Sequence, residues 1–185
     1  MTRWAPLAIA VGLLLLALPA AAGELRITVD GMRSPSGVIL IGLYDSEASF
    51  DRAIELSDKE GFLNDPARVA GAALRANIAM TGGVVFENLV PGRYAIILFQ
   101  DENGNGRLDK NFWGVPTEPY GFGNDAGGFL GPPTFDEAAM SLDGGNKAVV
   151  INLVYHGDRS ETARAPTTSG DAPAKNAGDG AQIPR

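Results

Sequence analysis

The sequence predicts an all-β fold, a seven-stranded antiparallel β-sandwich, with one short helix and one long loop. Three observations carry this. Short β-branched segments recur between turn signals, several alternate apolar and polar residues, and no long amphipathic helix interrupts them.

The strands follow in order. Leu25–Val29 alternates, as a half-buried strand should, and Asp30-Gly31 with Ser34-Pro35-Ser36-Gly37 supplies the turn. Val38–Tyr44 reads as a more buried strand, and Leu74–Ile78 alternates again. Gly82-Gly83 punctuates, Val84-Val85-Phe86 begins the next strand, and Arg93–Gln100 is strongly apolar. Ala138–Leu142 is a weak strand, and Ala148–Tyr155 closes the set. One segment departs from the pattern. Ser46–Leu56 places Phe50, Ala53 and Ile54 at helical spacing, with Ser46 or Ser49 as N-cap, so its Phe50/Ile54 face is expected to cover an end of the core. A membrane-binding amphipathic helix is the competing reading, but the polar face lacks the Lys/Arg that anionic lipid requires.

Both ends of the chain read differently from the middle. Arg3, the apolar run Leu7–Leu18 and Ala20-Ala21-Ala22 have the order of a secretory signal peptide with an A-x-A cleavage site, so residues 1–22 are expected to be removed. The run is shorter than the roughly 18 apolar residues of a spanning helix. A twin-arginine pair is lacking, so the general secretory route and a periplasmic or secreted location follow. From Asp158 to Arg185 the only large apolar residue is Ile183, and such a segment cannot offset its ordering entropy. The expected organisation is a signal peptide over 1–22, a sandwich domain over 23–157 and a disordered tail over 158–185.

Composition excludes several classes. Zero cysteines rule out disulfides, thiolate metal sites, a cysteine nucleophile and a lipid on an N-terminal cysteine. A net charge of −7 with no basic cluster opposes nucleic-acid binding, which depends on neutralising phosphates. The mature chain contains no candidate membrane span, and the sequence does not specify its oligomeric state or its extracytoplasmic partner.

The stretch Asp101–Asp109 (DENGNGRLD) carries the only specific chemistry. Calcium takes six to eight hard oxygen ligands on a tightly turned backbone. Asp101, Asn103 and Asn105 fall at positions 1, 3 and 5 of the D-x-[DN]-x-[DN]-G pattern, and Gly106 falls where the turn needs glycine. The Arg107 carbonyl would be the seventh-position ligand, and Asp109 the ninth, directly or through water. Phe112 stands where an EF-hand has its bidentate Glu, and the loop leaves a strand, so this is not an EF-hand. It resembles strand-borne or dockerin-like calcium loops, which a carboxylate from elsewhere completes. Glu118, Asp125 and Asp136 are the candidates, and the sequence does not rank them. The competing reading is a bare Asn/Gly turn whose side chains cap their own backbone. With two charged ligands and no bidentate acid, calcium affinity is expected in the roughly 10⁻⁴–10⁻³ M range of extracellular modules. The following segment, Gly114–Phe135, is rich in Gly, Pro and aromatics. Tyr120, Phe122, Phe129 and Phe135 are expected to pack it over one end of the sandwich, beside the Asp101–Asp109 loop.

These residues give the chain a resemblance to the bacterial family called domain of unknown function 2141, over about Leu25–Tyr155. The resemblance is carried by Gly37-Val38…Leu43-Tyr44, by Phe86-x-x-Leu89-x-Pro91-Gly92-x-Tyr94-Ala95, and by Asp101-Glu102-Asn103-Gly104-Asn105-Gly106-x-Leu108-Asp109. Gly114-x-Pro116-x-Glu118-Pro119-Tyr120-Gly121-Phe122 and Gly131-Pro132-Pro133-x-Phe135-x-x-Ala138 complete it. Gln100 departs from the histidine common at that place in the family. The resemblance implies an exported prealbumin-like or immunoglobulin-like sandwich with no established activity. The Leu89-x-Pro91-Gly92-x-Tyr94 piece also looks like carboxypeptidase-regulatory-like accessory modules.

Enzyme readings find little support. The single histidine, His156, sits beside the tail, and no G-x-S-x-G accompanies it. Glu118, Asp125, Asp136 and Glu137 leave a carboxylate-based hydrolase open. The expectation is an exported, non-catalytic binding or accessory module with a weak calcium loop, and the alternative is a structural envelope protein without metal. An exposed apolar patch beside the loop would favour the binder.

Overall fold

The computed structural model describes residues 22–127 and 131–155. Residues 1–21, where a signal peptide is expected, Phe129, His156 and residues 158–185, where a disordered tail is expected, lie outside the described residues. Eight strands among the described residues form two sheets. They are β1 (Gly23–Asp30), β2 (Val38–Tyr44), β3 (Ala70–Arg75), β4 (Val84–Leu89), β5 (Gly92–Asp101), β6 (Tyr120–Phe122), β7 (Ala139–Leu142) and β8 (Asn146–Asn152). One sheet has the order β4-β1-β8. The other runs β3-β2-β5-β6, with β7 also on β5. β6 and β7 lie end to end along one edge of β5, pairing with Ile97–Phe99 and Gly92–Ala95 respectively.

The expected seven antiparallel strands are corrected in three ways. The eighth strand, β6, comes from within the long aromatic loop, where Tyr120-Gly121-Phe122 is too short to show a period. The pair β1–β8 is parallel, from Glu24↔Asn146 to Asp30↔Asn152. A parallel pair needs a long connection, and the first and last strands have the whole domain between them. Third, the strand expected at Leu74–Ile78 lies earlier, at Ala70–Arg75. The chain then turns helical in α2 (Ala76–Ala79), which buries Ala76 and Ala79.

The five-stranded sheet is covered on both faces, which explains why its two central strands are continuously apolar. Ile39, Ile41 and Leu43 of β2 join Tyr94, Ile96 and Leu98 of β5 in the core facing the three-stranded sheet, against Leu25, Ile27, Val29 and Ile151. The alternate residues Leu40, Tyr44, Ala95, Ile97 and Phe99 face a second cluster with Phe50, Phe62, Leu108, Phe122 and Phe135. Gly42 sits in β2 because a Cβ there would come within 2.6 Å of the Tyr44 hydroxyl. The helix α1 (Glu47–Leu56) covers this outer face, not an end of the core. Ser46 is its N-cap, accepting from the Ser49 N–H at 3.4 Å. Phe50 then meets Phe122 and Phe135 at centroid distances of 6.2 and 6.1 Å. The helix α3 (Phe135–Ala138) starts with a capping box between Thr134 and Glu137. Among the described residues, no helix is long and apolar enough to cross a membrane.

Candidate functional site

β5 carries the chain to Asp101, and the neighbouring turn holds that strand end in place. The buried Gln100 donates through Nε2 to the carbonyls of Ser34 and Ser36, at 3.0 and 2.8 Å. Gly37 is required here: its φ is +77°, and a Cβ would run into the Asp101 carbonyl oxygen. The β1–β2 turn therefore rests directly on the start of the acidic loop.

Asp101 is 2% exposed and organises the loop from inside. Its Oδ1 accepts from the N–H groups of Gly104 (2.7 Å) and Asn105 (3.0 Å), and its Oδ2 from Gly106 (2.7 Å). Gly104 and Gly106 have φ of +76° and +79°, and a Cβ on either would meet nothing within 4 Å, so glycine serves conformation there and not space. Asn103 and Asn105 make successive Asx turns, accepting from the N–H of Asn105 (3.0 Å) and Arg107 (3.1 Å). Their amide Nδ2 groups converge on Asp109, at 2.6 Å from Asn103 and 3.0 and 3.1 Å from Asn105. The Arg107 guanidinium Nε lies 3.5 Å from Asp109 Oδ1. The Asn105 amide, helped by the Asn103 amide and the Arg107 charge, outweighs desolvation by burial and holds the Asp109 carboxyl below the usual range.

The loop is closed by Glu118, which is 5% exposed. Its Oε1 accepts from the Glu102 N–H at 2.8 Å and its Oε2 from the Asp109 N–H at 2.9 Å, so one carboxylate spans the neck. Burial pushes this carboxyl up; the two N–H donors oppose the rise, and the charges of Asp109 and Asp101 add to it. Leu108 is buried in the outer core, and its N–H donates to the Ser57 carbonyl at 2.6 Å beside the end of α1.

All four side-chain candidates, Asp101, Asn103, Asn105 and Asp109, are thus brought together, and Arg107 contributes its side chain to the same cluster. The candidates for a completing carboxylate separate. Glu118 reaches the loop but directs both oxygens at backbone N–H groups. Asp125 accepts from the Asn152 N–H (2.8 Å) and amide (2.6 Å), and Asp136 pairs with Arg93 at 2.6 Å. Among the described residues, no three His, Cys, Asp or Glu side chains cluster around a common point. The donor set available to a hard cation is therefore two carboxylates, two amides and the Arg107 carbonyl. A cation there competes with the Asn amides and Arg107 for Asp109. The acids raised for a hydrolase also have structural partners: Glu137 accepts from the Thr134 N–H at 2.8 Å, and the other three are bonded as described.

The loop continues into a hairpin whose tip is the most exposed apolar feature among the described residues. Asp109 receives Thr117 at its carbonyl, at 2.8 Å from N and 3.1 Å from Oγ1, and Lys110 bridges Pro116. Asn111 builds the turn. Its Oδ1 accepts from the N–H groups of Trp113 (2.9 Å) and Val115 (3.1 Å), its carbonyl from Gly114 (2.9 Å), and its N–H donates to Val115 (2.8 Å). Phe112 and Trp113 project from this turn 93% and 83% exposed, with ring centroids 5.4 Å apart and planes at 82°. Sequence reasoning treats Phe112 only as a missing acid and passes over Trp113. The available signal is the uncharged run from Asn111 to Thr117, with Asn and Gly bracketing two aromatics. The downstream aromatics behave differently: Phe122 and Phe135 are buried and Tyr120 is half-buried.

None of the curated proteins and none of the solved structures matches this chain. Residues 27–150 match the family described as uncharacterized protein conserved in bacteria, and that span includes β2 to β7, most of β1 and β8, the Asp101–Asp109 loop and the aromatic hairpin. The chain belongs to the domain of unknown function 2141 family.

Proposed function

We propose that this domain is an exported, non-catalytic binding or accessory module that presents the Phe112–Trp113 hairpin to a partner from a platform stiffened by a weak calcium loop. The observation that carries the reading is the exposed aromatic pair itself, standing on a hairpin whose base is the Asp101–Asp109 loop. Two large rings left in water are a cost that a mere spacer has no reason to bear, and exposed apolar patches mark interaction sites. This favours the binder over a structural envelope protein. In kind, the sandwich is read as immunoglobulin- or prealbumin-like, a reading supported by its two sheets packed around a common core.

Calcium is the part of this reading most open to direct test. Asp101, Asn103, Asn105, Asp109 and the Arg107 carbonyl would hold the ion, and its chemistry there would be electrostatic and structural. An ion that binds only the folded state at tenfold excess over its Kd stabilises by about 1.4 kcal/mol. That moves the melting temperature by a few degrees. Thermal unfolding in EDTA against millimolar calcium measures it. Asp109→Asn is the informative variant, because the Asp109 side chain accepts from no backbone N–H, whereas Asp101 holds three. The calcium-dependent shift should vanish in Asp109→Asn. Equal melting temperatures in both buffers for the parent would reduce the loop to an Asn/Gly turn. The location is tested by fractionation, with the mature N-terminus expected at Gly23.

A further inference from the structure

We infer that the partner of the Phe112–Trp113 tip is a phospholipid surface, the two rings entering the boundary between headgroups and acyl chains. This rests on the reading of the hairpin as the domain's contact surface and goes on to name what it contacts.

Four observations favour lipid over a protein. The first is area. Two aromatic side chains offer about 300–500 Å², whereas each side of a stable protein interface buries about 800 Å². Among the described residues, the other exposed large apolar side chains are Val69, Ile78, Met80, Val90 and Val150, none within the hairpin. The second is shape. Rings at 82° form a wedge, not the flat face on which a sugar or base stacks, and a convex wedge needs a receptor that yields. Third, the tip is electrically quiet. Residues 111–117 carry no charge, and Lys110 at the base turns to Asp58 at 3.2 Å. Fourth, the turn pairs four of its own N–H groups, those of Asn111, Trp113, Gly114 and Val115, inside the hairpin, which leaves few donors at the tip to desolvate. A protein interface tolerates water-bridged groups, whereas entry into the headgroup boundary is easier the fewer unpaired donors must be desolvated. Tryptophan and phenylalanine are also the residues that favour this interfacial layer.

The chain's charge of −7 gives no attraction to anionic lipid, so the aromatic pair must act alone. A single myristoyl chain gives only marginal binding, about 10⁴ M⁻¹. Two rings are smaller, and half-binding should need about millimolar lipid.

The test uses the chain from Gly23 onward, which keeps every residue of both core clusters and retains Trp113 as its sole tryptophan. With phosphatidylcholine vesicles, Trp113 emission should shift to the blue and be quenched by bromines attached to the upper acyl carbons. Phe112→Ser should weaken the partitioning tenfold or more with an unchanged melting temperature, since burying one such ring is worth at least that factor. Unchanged Trp113 emission up to several millimolar lipid would overturn the inference. A benzoylphenylalanine crosslinker at position 112, irradiated in bacteria exporting the protein, separates the two levels. Lipid adducts support the inference. Protein adducts without lipid overturn it and leave the contact-surface reading standing. Adducts to neither overturn both.

Discussion

Glu118 should be a principal fastener of the acidic loop, and two substitutions separate its chemistry from its volume. Its oxygens accept from the Glu102 and Asp109 N–H groups at 2.8 and 2.9 Å in a 5% exposed site. Hydrogen bonds to a charged group contribute about 1.5–3 kcal/mol each, and a buried donor left without its acceptor incurs a desolvation cost of similar size. Glu118→Ala strands both donors, so a loss of about 3 kcal/mol is expected, the low end because water can enter the truncated site. Glu118→Gln keeps the shape and one acceptor but sets an NH₂ against the other N–H, so about half that loss is expected. For a domain of this size each kcal/mol moves the melting temperature by about 3–5 °C. The alanine variant should therefore melt about 10 °C below the parent, and the glutamine variant about 5 °C below, by calorimetry in EDTA. Amide hydrogen exchange should accelerate at Glu102 and Asp109 in both variants while the β1–β8 amides stay protected. A glutamine variant within about 1 °C of the parent, with unchanged exchange at those two amides, would refute the clamp.

Three further outcomes follow from particular contacts. Gly37→Ala should cost at least about 2 kcal/mol in a urea titration, because its φ of +77° and its close approach to the Asp101 carbonyl both oppose a side chain; a neutral result would show that the β1–β2 turn moves freely off the loop. Tyr44→Phe should leave the urea midpoint unchanged or raise it, since the buried hydroxyl has no partner among the described residues and burial pushes its phenol up; a loss above about 1 kcal/mol would reveal one. Glu137 has its carboxyl lowered by the backbone N–H and then the hydroxyl of Thr134, so its contribution is present above the unfolded value of about 4.3 and is lost as pH falls through the lower folded value. Relative to Glu137→Gln, the parent should lose its advantage between about pH 5 and pH 2 as judged by urea midpoints taken at each pH, and a constant difference would count against the capping box.

How much was legible follows from which signals are local. The periodicity of Leu25–Val29 and the continuous apolar runs of β2 and β5 report burial directly, so these strands and the two-sheet architecture could be read from sequence. The helix α1 was legible for the same reason, with its cap narrowed to Ser46 or Ser49, of which the structure uses Ser46. The parallel β1–β8 pair was not, because pairing between strands so far apart in sequence has no local signature. Nor was the shift from β3 into α2, where Ala70–Ala73 alternate burial with side chains too small and too uniform to show a period. At the site, spacing placed Asp101, Asn103, Asn105 and Asp109 on one turn, and they do converge. The role of Glu118 could not be read, because a carboxylate that ligates and one that caps two backbone N–H groups look identical in sequence. What separates them is the direction of the lone pairs, which only the fold of residues 109–118 decides. The same fold reassigns Phe112. At the twelfth position of a calcium loop it is a departure; at the tip of an Asn111-built turn it is one half of an exposed wedge. A residue that spoils one pattern can be the residue around which a second is built, and here exposure alone distinguishes the two.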